Sequence, residues 1–454
     1  MSPSQTAMSP SQIESMRHRR IMRASAVVAA VLAAGAGACT KSASSSPPTD
    51  GASAALDVDP GDAASGVDVP GTNVDTLAGL PAARDITWTT IAKTPLAIEG
   101  LTADKAGSFY AAGRGGTPCA VWKFTAGSGT ATVIGNITAP CSPNGLAFDT
   151  AGDLFIGDGD RIYKLTPNDQ TPPTAAVFAT GVPGANGLAF DRAGKLWTSD
   201  GTTGQGRVWS IATDGTPTEM FRVQPLANTV NLTSPDGGVD AGQMVGGVGR
   251  DTRALPPGSL TITSTTRTAA DTVGSVIVVA NGLAFAPDGS LFVADTARGA
   301  IWKVAFDAGG AVSSPVGCDT TFTANTLCLQ DVFASHPILE GLDGIALDAA
   351  GNIWGAANER NALVVVTPRG SVREVFRNPP DATTMLRNGG PLEYPTSPFV
   401  VDKKLCITQS DTSRRDNFPN SAGEVGPGVA GPLLGKLSCL DQPVPNAGLP
   451  LPIE

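Results

Sequence analysis

The sequence predicts an all-β fold, a six-bladed β-propeller, from a repeated pair of short apolar strands joined by a turn. Residues 281–294 show the pattern most clearly, as an apolar run, the turn Pro287-Asp288-Gly289 and a second apolar run. In five copies of the pattern a glycine stands eight residues after the first position. The paired positions are 99 and 107, 144 and 152, 186 and 194, 281 and 289, and 343 and 351. So constant a register predicts repeated supersecondary units around one core.

Further apolar runs after each pair complete blades of four antiparallel strands. Third strands are predicted at 120–124, 161–165, 207–211, 300–304 and 362–366, and fourth strands at 176–178, 219–221 and 374–376. A sixth, degenerate unit over 398–440 lacks an outer strand. The run 85–91 precedes the first blade, and we expect it to pair in the last blade and close the ring, which removes an exposed edge.

The first 84 residues differ in composition from the propeller repeats. Residues 1–39 combine basic residues, an apolar run and small residues before Cys39, which predicts a bacterial lipoprotein-type signal with Cys39 lipidated. An ordinary signal peptide with Cys39 incidental is the alternative. Residues 40–84, rich in Ser, Ala, Pro, Gly and Asp, predict a disordered tether. We therefore expect an exported protein anchored in the cell envelope by its N-terminal lipid alone, with the propeller over 85–442 and a Pro-rich tail over 443–454.

Charge and cysteine content narrow the possible functions. The formal net charge is −10, which disfavours nucleic-acid binding because no basic field is present to neutralise phosphate. Besides Cys39 there are six cysteines, and an even number in an exported chain indicates disulfides. We favour pairing between sequence neighbours, Cys119 with Cys141, Cys318 with Cys328, and Cys406 with Cys439.

The first positions of the five clear repeats all carry a side-chain oxygen. They are Glu99, Asn144, Asn186, Asn281 and Asp343. If each opens an innermost strand, they converge at one mouth of the central channel. Oxygen ligands with about two negative charges suit Ca²⁺, with Mg²⁺, Mn²⁺ and Zn²⁺ as alternatives. The competing interpretation is that the asparagines only cap strand starts through local hydrogen bonds.

The ends of the second strands are expected at the same mouth. They are Asp158, Asp200, Asp295, Asn358 and Asp411. The insertion 222–280 and the loop 318–328 also connect there, as a lid over the site or as surface elaboration without a role. Four rim arginines are candidates for binding a sugar acid, although strand-end arginines are commonly solvated: Arg114, Arg207, Arg298 and Arg360. His336, the one histidine after the signal, is expected to be structural.

Three of these motifs resemble the SMP-30, gluconolactonase and related calcium-dependent lactonases, which are six-bladed propellers. The resemblance rests on Glu99-Gly100, on Asn281-Gly282-Leu283 with its Pro-Asp-Gly turn, and on Asp343-Gly344 followed by residues 349–354. It implies that the metal ligands are Glu99, Asn281 and Asp343, and that Asn186 lines the substrate pocket. The chain departs from the family at the insertion 222–280 and at Leu342, where the family has proline.

The resemblance implies a divalent-metal-dependent hydrolase of a lactone or similar small ester. A bound metal would polarise the carbonyl, and a carboxylate would take a proton from water; Asp343 is the implied catalytic base. Asp200 and Asp295 are alternatives to it, and with Asn144 and Asn186 they make up the expected substrate pocket. The rival hypothesis is a non-catalytic propeller similar to the NHL type, which binds a ligand or protein. We expect a small-molecule substrate and a monomer.

Overall fold

In a computed structural model of the chain, the predicted strands form six sheets. The structure describes residues 86–125, 128–225, 278–317, 322–328, 331–412, 415–417, 424 and 434–440. The innermost strands of neighbouring sheets touch in cyclic order around a central channel. The six-bladed propeller is therefore confirmed.

Within each blade the strands follow one another from the channel to the periphery. Blade 1 has β2 (Ile98–Ala103), β3 (Phe109–Gly113), β4 (Cys119–Phe124) and β5 (Ala131–Ile137), and blade 2 has β6 (Pro143–Phe148), β7 (Leu154–Asp158), β8 (Arg161–Leu165) and β9 (Ala176–Thr180). Blade 3 has β10 (Ala185–Phe190), β11 (Leu196–Asp200), β12 (Arg207–Ile211) and β13 (Pro217–Val223), with the short β17 (Thr326–Leu327) parallel to β13.

Blades 4 to 6 follow the same plan. Blade 4 has β14 (Leu283–Phe285), β15 (Leu291–Asp295), β16 (Ala300–Val304) and β18 (Ala334–Ser335), and blade 5 has β19 (Leu342–Leu347), β20 (Ile353–Ala357), β21 (Ala362–Val366) and β22 (Val372–Arg377). Blade 6 has β23 (Pro395–Val401), β24 (Lys404–Gln409), β25 (Gly435–Leu440) and, at its outer edge, β1 (Trp88–Thr94). Short 3₁₀ helices lie at Pro337–Leu339, Asn358–Arg360 and Arg415–Asn417.

Strand β1 closes the ring as the sequence predicted. It pairs antiparallel with β25, from Trp88 opposite Leu440 to Thr94 opposite Gly435. The N-terminal strand thereby supplies the outer strand that the last repeat lacks.

Each pair of neighbouring blades is joined by a buried apolar cluster, which explains why the strands are apolar on both faces. Between blades 3 and 4, for example, Trp302 packs with Val208 and Phe221, and all three side chains are completely buried. Burying a large aromatic side chain contributes on the order of 3 kcal/mol. Because every blade contributes to two such clusters, no blade has a core of its own.

Two of the predicted disulfides are present. Cys119–Cys141 joins β4 to the segment before blade 2, and Cys406–Cys439 links directly opposed residues of β24 and β25. Cys328 is also disulfide-bonded, whereas its predicted partner Cys318 lies outside the described residues.

Several predicted features fall outside the described residues. They are the signal and Cys39, the tether 40–84, most of the insertion 222–280, and the tail 443–454. Within the part of the chain that the structure describes, no helix has the length and apolar character needed to cross a membrane.

Candidate functional site

The first residue of each repeat lies at the start of an innermost strand. In blade 1 the pairing of β2 with β3 is irregular between Glu99 and Thr102, and blades 2, 3 and 5 are irregular at the same place. The following glycine touches the next blade, because a Cβ atom on Gly100 would lie 2.1 Å from the backbone oxygen of Asn144. A Cβ atom on Gly145, Gly187 or Gly282 would likewise lie close to the backbone oxygen of the first residue in the next blade. The distances are 2.2 Å to Asn186, 2.4 Å to Asn281 and 2.7 Å to Asp343. Only glycine permits this approach, so the first positions form a ring.

The two carboxylates of this ring, Glu99 and Asp343, are buried and share a neighbouring arginine. They are 7% and 4% exposed. Arg114 Nη1 forms an ion pair with Glu99 Oε2. The Nε and Nη2 groups of Arg114 donate to Ser142 Oγ at 3.1 and 2.9 Å, which fixes the guanidinium at the ring.

Two amide side chains hold the Asp343 carboxylate. Asn358 Nδ2 donates to Asp343 Oδ2 at 3.0 Å. The Asn281 amide hydrogen-bonds with the same carboxylate and also donates from Nδ2 to Thr296 Oγ1 at 2.9 Å. The Asn281 amide group therefore donates to two partners, and its carbonyl oxygen is the atom with which it could bind a metal ion. The Oδ1 atom of Asn358 is buried and has no hydrogen-bond partner among the described residues.

The electrostatics of the cluster favour a proton or a cation. Burial raises the pKa of Asp343 well above its usual range, and the nearby charge of Glu99 raises it further. Hydrogen bonds from Asn358 and Asn281 and the charge of Arg114 oppose this rise in the pKa. Two carboxylates in one buried site do not readily ionise together unless a positive charge is close.

The two asparagines of blades 2 and 3 behave differently from Asn281. Asn144 donates from Nδ2 to the backbone oxygen of Ala185 at 3.0 Å, so its amide bridges two blades, whereas the strand-capping interpretation expects a local hydrogen bond. Asn186 is 9% exposed and packs over Gly201, where a Cβ atom would lie 2.0 Å from its Nδ2. Both residues belong to the ring, and their expected role in the substrate pocket stays a prediction.

Asp200 and Asp295, also expected in the pocket, are completely buried and paired with arginines. Asp200 Oδ2 accepts from Arg207 Nε at 2.9 Å, and Asp295 Oδ2 accepts from Arg298 Nη1 at 2.8 Å. With Arg114 paired to Glu99 and Arg360 paired to Glu374, all four rim arginines are engaged in ion pairs within their own blades. The sequence carries a signal for the second pair, since Asp295 and Arg298 are three residues apart across a tight turn.

The remaining rim residues have other partners. Asp158 accepts from Ser142 N at 3.0 Å, beside Arg114. Burial, followed by the charge of Glu393, raises the pKa of Asp411 to about 7. His336 is exposed, and its Nδ1 accepts from Ile338 N at 3.2 Å at the start of a 3₁₀ helix, as expected for a structural histidine. Sequence reasoning placed Arg114 at the rim but did not foresee its pairing with Glu99.

A cavity of about 660 Å³ occupies the channel beside the ring. Its lining starts at the glycines that follow the first residue of each repeat. It continues through apolar residues such as Leu146, Leu188 and Phe285 to turn residues that include Asp149. Glu99 and Asp343 are not among its lining residues. The carboxylates thus lie at one end of a mostly apolar channel.

The donor set fits a hard divalent cation. Glu99 and Asp343 carry carboxylate oxygens and Asn281 a carbonyl oxygen, and Asn358, whose Nδ2 donates to Asp343, has a buried Oδ1 without a hydrogen-bond partner among the described residues. Across the described ranges, no three His, Cys, Asp or Glu side chains are grouped to hold a metal. The absence of soft or imidazole ligands makes Zn²⁺ the poorest fit of the predicted metals.

Comparisons with solved structures gave similar propellers at low identity. A luciferin-regenerating enzyme matches with 12% identity and a TM-score of 0.51, covering 81% of this chain and 99% of its own. A calcium-binding regucalcin from Agrobacterium tumefaciens matches with 16% identity and a TM-score of 0.48, covering 81% and 97%. A gluconolactonase from Xanthomonas campestris matches with 17% identity and a TM-score of 0.47, covering 81% and 93%. The first similarity supports the fold alone.

A comparison with curated proteins gave no match. A family model described as the SMP-30/Gluconolactonase/LRE-like region matches residues 225–393. This range contains Asn281, Asp343 and Asn358, whereas Glu99 and Arg114 precede it. The resemblance predicted from the sequence is therefore confirmed as a match of residues 225–393 to the model of this family.

Proposed function

We propose that the protein is a divalent-metal-dependent hydrolase of a lactone or similar small ester, with Ca²⁺ as the metal. The observation that carries the proposal is the buried pair Glu99 and Asp343, set beside amide oxygens of which Asn358 Oδ1 has no partner among the described residues. The family match over 225–393 supports the lactonase-like assignment.

Glu99, Asn281, Asp343 and Asn358 would hold the ion. When bound, it would polarise the substrate carbonyl and stabilise negative charge on its oxygen. Without a bound ion, burial and then the charge of Glu99 raise the pKa of Asp343, and a bound cation would favour its ionised, proton-accepting form. Asp343 would accept a proton from water, while Asn358 and Asn281 orient its carboxylate through their hydrogen bonds. Asp200 and Asp295 are less suited as bases because arginines occupy their carboxylates.

Calcium titration with elemental analysis of the purified protein tests the proposal. We expect one divalent ion per chain in the wild type and its loss in Asp343→Asn. Asp307→Asn is the matched control, because Asp307 lies in an outer turn of blade 4 and accepts only local backbone N–H groups. Lactone and ester hydrolysis should fall with the loss of metal. If the wild type binds no divalent ion at millimolar calcium, the hydrolase proposal is wrong.

A non-catalytic binding propeller is the second candidate function. The Arg114–Glu99 ion pair favours it, because the guanidinium already neutralises one ring carboxylate without a metal. A protein that binds no metal yet retains a small molecule or a protein partner would fit this candidate.

Export and lipid anchoring through Cys39 remain part of the proposal. The sequence pattern of residues 1–39 supports them, and the disulfides Cys119–Cys141 and Cys406–Cys439 suit an oxidising compartment. Incorporation of labelled palmitate into the wild type and its loss in Cys39→Ala measure the modification. Export of an unlipidated wild type would instead indicate an ordinary signal peptide.

A further inference from the structure

Three arginines lie together where the chain passes from blade 5 to blade 6, at the mouth that carries the ring. Arg360 ends the 3₁₀ helix Asn358–Arg360, Arg377 ends β22, and Arg387 lies in the connection between β22 and β23. Arg377 Nε donates to the backbone oxygen of Arg360 at 3.3 Å, and Arg387 Nη1 donates to that of Asn378 at 2.6 Å. Backbone oxygens therefore hold the guanidinium groups of Arg377 and Arg387 at one corner of blade 5.

The carboxylates at this corner do not balance its positive charge. Arg360 Nη2 pairs with Glu374 Oε2 at 2.8 Å, and Arg377 Nη2 pairs with Asp416 Oδ2 at 2.5 Å. Within the described residues, Arg387 has no carboxylate partner. Arg360 and Arg377 thus each have a carboxylate partner, and Arg387 is the guanidinium group of the three for which the described residues supply none.

Hydrogen-bonding groups are unmatched at the same place. The Nε atoms of Arg360 and Arg387 and the Oδ1 atom of Asp416 are buried, and none of them has a hydrogen-bond partner among the described residues. Burial, and after it the charge of Arg377, lowers the pKa of both Arg360 and Arg387. A buried polar group without a partner costs on the order of 1–3 kcal/mol, so a ligand that satisfies these groups would be stabilised.

The geometry points to an anion-binding site for a hydroxycarboxylate, formed by Arg360, Arg387 and Asp416. Its carboxylate would accept hydrogen bonds from the two Nε groups and neutralise the unpaired guanidinium. Its hydroxyl would donate to Asp416 Oδ1. Hydrogen phosphate combines the same acceptors and donor, so the shared chemistry is an oxyanion that also carries a hydroxyl. These groups define the ligand class whether or not the protein is a hydrolase.

Calorimetric titration of the purified protein with gluconate, inorganic phosphate and acetate, in the presence of a metal chelator, tests this site. We expect gluconate to bind at one site per chain, more tightly than acetate, which lacks the hydroxyl. Arg387→Met should weaken binding at least about tenfold through the loss of a charged hydrogen bond. Arg369→Met is the matched control, because Arg369 is exposed and lies in the turn between β21 and β22 at the other end of blade 5.

Further variants separate this site from the ring. Asp343→Asn should leave gluconate binding unchanged, whereas binding at the channel mouth would be lost in that variant. Arg387→Lys keeps the charge but lacks the Nε–H group, so it should also weaken binding, and it serves if Arg387→Met does not fold. Tighter binding of phosphate with the same dependence on Arg387 would support the oxyanion site and identify phosphate as the ligand. The inference is overturned if no probe binds at millimolar concentration, or if binding is equal in the wild type and the Arg387 variants.

Discussion

Replacing Asp295 with alanine tests whether this residue is a structural ion partner or, as the sequence predicted, part of a substrate pocket. Its carboxylate accepts from Arg298 Nη1 at 2.8 Å, from Arg298 N at 3.1 Å and from Trp302 Nε1 at 3.2 Å. Asp295 and Arg298 are 0% and 1% exposed, so water cannot replace the lost carboxylate. Breaking a buried pair by removing one partner costs about 3–5 kcal/mol, and we expect the free energy of unfolding to fall by that amount.

Urea unfolding followed by tryptophan fluorescence and circular dichroism measures the change. Asp160→Ala is the matched control, since Asp160 pairs with Arg161 Nε at 2.9 Å but at the protein surface. We expect no measurable loss of stability in this control, because solvent screens exposed ion pairs. A loss below about 1 kcal/mol in Asp295→Ala, combined with loss of substrate binding, would refute the structural role and restore the pocket assignment.

Three further predictions concern the ring and blade 6. Arg114→Met should raise calcium affinity at least about tenfold in calorimetry, because it removes a positive charge paired with Glu99; unchanged affinity would contradict competition between guanidinium and metal. The pKa of Asp411 is about 7 in the folded state and near 4 when unfolded, so the folded state holds an extra proton between these values and stability falls as the pH rises from about 4 to about 7. Asp411→Asn leaves Glu393 and Lys436 as neighbours but removes the titrating carboxyl group, so the midpoint of urea unfolding should fall less between these pH values. An unaltered dependence of the midpoint on pH would contradict the role of Asp411. Gly145→Ala should destabilise the protein by about 1–3 kcal/mol, since its Cβ atom would lie 2.2 Å from Asn186 O, whereas Gly309→Ala, with 3.3 Å to the nearest atom, should be tolerated; equal stability of the two variants would refute the close approach.

The strand register was predictable because it depends on local chemistry that repeats. A glycine eight residues after each first position fixes the turn, and the apolar runs on either side fix two strands. The third strands agree with the structure almost residue by residue, as at 161–165 and 300–304. The missing outer strand of the last repeat also had a sequence signature, in the unpaired run that became β1.

Weakly patterned edge strands were harder to predict. β5 was not predicted, and the two-residue strands β17 and β18 leave almost no periodic signal. Strands this short form because a neighbouring edge is available, which is a property of the tertiary structure and not of the local sequence.

The candidate site was predictable in position but not in its partners. Placing oxygen-bearing residues at equivalent register positions requires only the repeat, and the ring brings Glu99, Asn281 and Asp343 to one mouth. Which amide donates to which acceptor depends on rotamers and on residues from other blades. Asn144 bonds across to Ala185, whereas Asn281 bonds to Thr296 in its own blade, although their sequence contexts are alike.

The order of blades around the ring explains why two carboxylates can share one buried site. Glu99 belongs to blade 1 and Asp343 to blade 5, and the blade between them contributes Thr396 at the ring. The hydroxyl of Thr396 bonds to that of Thr408 at 3.0 Å in its own blade, so this position adds no charge. Among the first positions of the six blades, charge is thus confined to Glu99 and Asp343, and Arg114 pairs with Glu99. The side chain of Arg114, which is 36% exposed, pairs with Glu99, and its positive charge would compete with a cation for this carboxylate.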